Sequence, residues 1–171
     1  MRSVINKRGQ QALGMSFGMI FAIFLILVFI VIAFIAVGYF LNLGESAGVG
    51  LFYNELQSAV DGAMSGQEID RNFVINLPSD IESICFANLS ATITKPGAEY
   101  DAIRDYEVYD ANTFLVPPEK AQGMQWKLID RINITKITSI KNPYCVSTND
   151  DLRIVKGFYD RLVCFGENCG I

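Results

Sequence analysis

Four cysteines, two Asn-X-Ser/Thr triplets and a cluster of carboxylates are the groups in this 171-residue sequence whose type and spacing bear on chemistry, and histidine is absent. Without an imidazole, Ser–His–Asp and Cys–His nucleophilic arrangements are excluded. No spacing recommends a Ser–Lys pair either. Cys85, Cys145, Cys164 and Cys169 contain no CxxC pair, which argues against zinc, and no cofactor or metal is expected. All four follow the long apolar segment described below, and an even count in a small extracytoplasmic domain reads as two disulfides rather than reduced core thiols. Three connectivities are open. Phe165-Gly166-Glu167-Asn168 contains a glycine and lets Cys164 and Cys169 close a short ring, so the pairing expected is Cys164–Cys169 with Cys85–Cys145. Asn88-Leu89-Ser90 and Asn133-Ile134-Thr135 match the N-glycosylation acceptor pattern, which makes Asn88 and Asn133 candidate acceptors. Asp101, Asp105, Glu107 and Asp110 lack the spacing of an EF-hand and read as a solvated acidic face rather than a calcium site. Trp126, the sole tryptophan, is expected in the core rather than on a binding surface.

The element that positions these groups is an apolar segment. Met19 to Val37 is an unbroken apolar run, and 36 residues without a charge separate Arg8 from Glu45. As a helix, Met19–Leu41 would reach roughly 34 Å, enough for a hydrocarbon core of ~30 Å. It has no polar stripe of the kind a helix half-buried in a soluble core shows. Arg2, Lys7 and Arg8 precede it and Glu45 is the first charge after it. The positive-inside rule therefore predicts a cytoplasmic N-terminus and an extracellular residue 45–171 segment, with Tyr39 at the outer interface. A cleaved secretory signal has a shorter apolar region, and Glu45 sits where its cleavage site wants a small residue. Past the segment, 11 basic residues face 18 acidic ones. This balance excludes a basic nucleic-acid binder, so no nucleic-acid partner is expected.

Before the segment the chain reads Lys7-Arg8-Gly9-Gln10-Gln11-Ala12-Leu13. Two basic residues, a glycine and a glutamine ahead of a long apolar helix resemble the class III signal peptide of archaeal type IV pilin-like proteins. The resemblance implies cleavage between Gly9 and Gln10 by a prepilin-type peptidase on the cytoplasmic side, with the apolar helix retained. Many such pilins carry a glutamate at the fifth mature position, and Gly14 stands there in this chain. The resemblance thus implies processing more firmly than polymerisation with like pilin subunits. The competing reading takes Lys7-Arg8 as topogenic charges of an uncleaved anchor. The blocks Phe73-Val74-Ile75-Asn76-Leu77-Pro78, Ile84-Cys85-Phe86, Asn112-Thr113-Phe114-Leu115 and Tyr144-Cys145-Val146 resemble those of small archaeal membrane-anchored proteins, which implies placement rather than chemistry.

Past the segment, Gly38, Gly44, Gly48 and Gly50 predict a kink or break around 44–50. Phe52, Leu56, Ala59 or Val60, and Ala63 then recur at helical spacing, predicting an amphipathic helix over about 51–65, closed by Gly66. A pilin-like protein would join it to the membrane helix as a stem; alternatively it lies across the domain surface. Strands are expected at Asn72–Leu77, Ile81–Leu89, Ser90–Thr94, Tyr106–Tyr109, Thr113–Val116, within Met124–Ile140, at Leu152–Val155 and at Arg161–Phe165. The expected fold class is α+β: a transmembrane α-helix and short stem helix, then a β-rich antiparallel, sandwich-like domain. The organisation expected is 1–18 cytoplasmic with the leader, 19–43 in the lipid bilayer, 44–66 as stem and 67–171 as extracytoplasmic domain. The function expected is structural or interaction-based and not enzymatic, as a minor pilus subunit or adhesin at an archaeal cell surface. The alternative is a monomeric anchored accessory or sensor domain of another envelope complex.

Overall fold

The first proline of the chain is Pro78, so nothing before it forbids a long helix. The structure, a computed structural model, describes residues 9–170, with side chains at 17–40, 44 and 46–170. Helix α1 spans Gly9–Ser65, and the chain divides at Leu43/Gly44 into two compact units. In the first unit, Phe17–Phe40 form a 24-residue stretch of mean hydropathy 3.5, none of it buried. It is long and apolar enough to cross a membrane.

In the second unit the helical residues Val49, Phe52, Tyr53, Leu56, Val60 and Ala63 are buried, a one-sided stripe at three- and four-residue spacing. The sequence predicts a break at 44–50, and α1 instead continues through Gly44, Gly48 and Gly50. Packing accounts for the difference. A Cβ at Gly48 would lie 3.5 Å from Pro78 Cγ, and one at Gly50 would lie 3.8 Å from Met124 Sδ. At Gly48 and Gly50 the backbone rests against its own unit, and tertiary contacts outweigh the ~1 kcal/mol that glycine costs a helix interior. The helix ends where the Gly66 N–H donates to the Ala63 carbonyl at 3.2 Å. There the buried Lys156 donates its Nζ to the Gly66 carbonyl at 3.0 Å, a cation at the negative end of the helix dipole.

Two open antiparallel sheets complete the unit. One orders β1 (Ile69–Val74), β6 (Asp151–Lys156) and β7 (Cys164–Phe165) as β1-β6-β7. The other orders β4 (Trp126–Lys127), β3 (Thr113–Val116), β2 (Ser83–Phe86) and β5 (Tyr144–Ser147) as β4-β3-β2-β5. The central strand β2 is buried along its whole length, as a strand covered on both faces must be. Leu56 and Phe52 of α1 share one core with Ile84 and Phe86 of β2, Leu152 and Ile154 of β6, and Phe165 of β7. The α+β class and the antiparallel pairing agree with the sequence reading. Both sheets have free edges, so the sandwich-like arrangement expected is met only as two antiparallel sheets.

Three expected strands take other forms. Residues 133–140 begin with helix α3 (Ile134–Ile137), because the Asn133 Oδ1 accepts the Lys136 N–H at 3.0 Å and caps it. Residues 88–95 are an irregular segment whose backbone partner is a buried side chain, Asn142. Tyr106 closes a 3₁₀ turn (Arg104–Tyr106) that follows helix α2 (Ala98–Ile103). Trp126 is half-buried rather than in the core, and stacks on Tyr109 with ring centroids 4.7 Å apart.

Candidate functional site

Gly9 is the first residue of α1, and Gln10 follows within it. Lys7 and Arg8 lie outside the described residues, so the leader motif is known as sequence and not as geometry. Beyond it, every side chain from Phe17 to Phe40 is exposed within the chain itself. Phe17, Phe34, Ile35 and Phe40 each expose more than two thirds of their area. A surface this apolar demands lipid or protein around it.

The four cysteines fall into two bridges. Cys85 and Cys145 face each other in the register of β2 and β5, and their disulfide spans a sequence separation of 60. Cys164 and Cys169 close a ring of separation 5. That ring turns at Gly166, whose φ of 93° favours glycine, and whose missing Cβ leaves the space taken by the Tyr144 hydroxyl. The sequons both reach the surface. Asn88 and Asn133 are half-buried, and Ser90 and Thr135 are exposed. The Asn133 side-chain oxygen serves the α3 cap, whereas Asn88 is held by its backbone: its N–H donates to Asn142 Oδ1 at 3.2 Å and its carbonyl accepts from Asn142 Nδ2 at 2.8 Å. In the acidic stretch, Arg104 lies between Asp101 and Asp105 at 3.6 and 3.7 Å. Among the described residues no group of three metal-ligating side chains converges.

Among the described residues of the second unit, two concave features and one protruding feature bear most on binding. A polar cleft of about 490 Å³ runs along the free edge of β5, lined by Tyr144, Cys145, Val146 and Ser147. Lys141, Arg153, Asp151 and Glu167 complete its walls. Burial and the nearby Glu167 carboxylate push the Tyr144 hydroxyl pKa up, so this group is a neutral hydrogen-bond donor and acceptor at neutral pH. Arg153 donates Nε to Asp70 Oδ1 at 2.8 Å and Nη2 to Asp70 Oδ2 at 2.5 Å, and this bidentate hydrogen bond holds the Asp70 carboxyl below the ordinary range. The cleft can take hydrogen-bonding groups. A second groove of about 580 Å³ lies between α1 and β1, lined by the apolar Leu51, Ala59, Phe73 and Val74 and by polar residues that include Glu55, Arg71 and Asn72. The third feature is the turn 157–162 between β6 and β7, which presents Phe158 and Tyr159 at 56% and 92% exposure.

Sequence reasoning located the cysteines, the sequons and the apolar segment. It missed the aromatic turn and the groove. The Gly157-Phe158-Tyr159-Asp160 run was visible as a turn signal carrying two aromatics. The groove joins residues near 55 with residues near 73, a pairing no local pattern reports. Compared with family models, with curated proteins and with solved structures, the chain matches none.

Proposed function

We propose that the chain is a pilin-like, single-pass membrane protein with a structural or interaction role at the archaeal cell surface, as a minor pilus subunit or adhesin. The observation that carries this reading is the union of a 24-residue exposed apolar helical stretch with a compact, disulfide-bonded unit. The helix is the anchor. Arg2, Lys7 and Arg8 before it and Glu45 after it support a cytoplasmic N-terminus and an extracellular second unit. The two bridges suit an oxidising compartment. Gly9-Gln10 is the cleavage position for a prepilin-type peptidase, and Asn88 and Asn133 are sites a surface glycosylation system would meet.

The second reading, a monomeric anchored accessory or sensor domain, is favoured by the polar cleft along β5, a feature a purely structural subunit does not need. A Gly9→Val variant expressed in the native host separates the two. The pilin-like reading expects the variant to retain its nine-residue leader, heavier by that mass than wild type, and to be lost from sheared surface filaments. Retention of Met1–Gly9 by both proteins, with neither in filaments, favours the anchored domain.

A further inference from the structure

Register fixes which backbone groups the free edge of β5 presents. Ser147 lies opposite Ser83 in the β2–β5 pair, and one step further the Thr148 N–H donates to the Glu82 carbonyl at 3.0 Å. Hydrogen-bonded and non-bonded pairs alternate along an antiparallel ladder. Tyr144 and Val146 therefore turn their N–H and C=O toward β2, and Cys145 and Ser147 turn theirs away from it. The other side of β2 agrees. The Ala87 N–H donates to the Asn112 carbonyl at 3.1 Å, one step beyond the Phe86–Thr113 pair. That directs the backbone of Cys85 toward β3 and the backbones of Ile84 and Phe86 toward β5. The Ser147 carbonyl accepts the Asp150 N–H at 3.0 Å in the turn that follows. The Cys145 N–H, the Cys145 carbonyl and the Ser147 N–H are left, and none has a partner among the described residues.

These groups belong to the wall of the polar cleft, whose volume of about 490 Å³ is that of a ligand site. The edge is held in advance, because Cys145 is disulfide-bonded to Cys85 of the buried strand β2. A strand already in place has little left to order on binding. The charge of the cleft is unbalanced. Arg153 is engaged by Asp70 in the bidentate pair. Of the other charged lining residues, Asp150, Asp151 and Glu167 are carboxylates and Lys141 is the single cation, and none of the four has an ion-pair partner among the described residues. Even with Arg153 counted against Asp70, carboxylates outnumber cations by two.

We infer that the cleft binds an extended peptide carrying a lysine or arginine, which adds to β5 as a further strand. Its backbone would bond the three outward groups, and its cation would answer the carboxylate excess. The inference rests on the reading of an anchored accessory or sensor domain and names the ligand class of its cleft.

The test offers the full chain in lipid nanodiscs two synthetic pools of heptapeptides, alike except for a central lysine in one and a central glutamate in the other. Captured peptides are identified by mass spectrometry. The lysine pool should be captured about fivefold more strongly, and Glu167→Lys should remove that preference. Backbone N-methylation of a captured peptide should weaken binding by roughly fivefold at every second residue and leave the residues between unaffected, because only alternate N–H groups face β5. Ser147→Pro removes an outward donor and no bond to β2, so it should weaken binding by about fivefold, whereas Ser147→Ala, which keeps the N–H, should not. The methylation series needs no variant protein and decides the matter even if Ser147→Pro does not fold. Capture without the alternation overturns strand addition. Capture of neither pool, or of the glutamate pool in preference, overturns the cationic-peptide assignment, while the anchored-domain reading is decided separately by the Gly9→Val comparison.

Discussion

Asn142 shows how one side chain organises a segment that has no ladder of its own. It is buried, its Nδ2 donates to the carbonyls of Asn88 and Thr92 at 2.8 and 3.1 Å, and its Oδ1 accepts from the Asn88 N–H. Its own backbone N–H donates to Thr94 Oγ1 at 2.8 Å, and its carbonyl accepts from Thr94 and Lys95. Backbone groups that leave water need partners, and here one amide supplies three of them. Asn142→Ala is expected to cost about 3 kcal/mol, because several polar groups lose their partner at once, and urea unfolding of the folded unit would show it. A second residue-scale prediction concerns pH. The Arg153 hydrogen bond holds the Asp70 pKa below its ordinary value of 3.8. A depressed folded pKa means that the pair's stabilisation is complete above the ordinary value and lost as the pH falls through the folded one. Asp70→Asn should therefore narrow the difference in unfolding midpoint between pH 6 and pH 2.5. The effect is small, since the pair is open to solvent. An unchanged pH response in the variant would show that the pair contributes nothing.

Elements were legible where a local pattern coincided with the force that decides the structure. The 3.6-residue stripe Phe52, Leu56, Val60, Ala63 is both a sequence pattern and a buried face, so that helix could be read directly. The runs Ser83–Phe86 and Thr113–Val116, and the apolar Leu152, Ile154 and Val155 within Asp151–Lys156, lie in strands whose apolar side chains are largely buried. Legibility failed where a side chain or a distant contact decides. Isoleucines at 132, 134, 137 and 140 look like strand periodicity, but the Asn133 cap and the Thr138 Oγ1 bond to the Ile134 carbonyl at 2.7 Å turn the chain into a helix. The glycines at 44–50 look like a break, but Gly48 and Gly50 pack against Pro78 and Met124 within a continuous helix. Of the surface features, the cysteines were legible as a set, while the groove depends on pairing α1 with β1 and was not. The two disulfides also differ as elements. Closing a separation of 60 removes more unfolded-state entropy than closing one of 5. Replacing both Cys85 and Cys145 by Ser should cost about 4 kcal/mol, and replacing Cys164 and Cys169 about 2 kcal/mol. Denaturant titration of the two double variants would rank them, and equal losses would contradict the loop-length account.

At the scale of the whole molecule, charge and hydropathy divide the chain as its contacts do. The charge-free stretch ends at Glu45, next to the boundary between the compact units at Gly44. On one side lies a helical surface of exposed apolar side chains. On the other lies a unit with its own core, two disulfides and a surface of mixed sign, which is the composition of a domain that faces water. The proposed topology has the apolar stretch spanning a membrane with the second unit outside. Lysine labelling with a membrane-impermeant amine reagent on intact cells tests it most directly, because Lys95, Lys127 and Lys141 are exposed on the second unit and Lys7 precedes the apolar stretch. With that topology, mass spectrometry should find label on Lys95, Lys127 and Lys141 in intact cells, and on Lys7 only after permeabilisation in a protein that keeps its leader. Label on Lys7 with none on the other three in intact cells would contradict it.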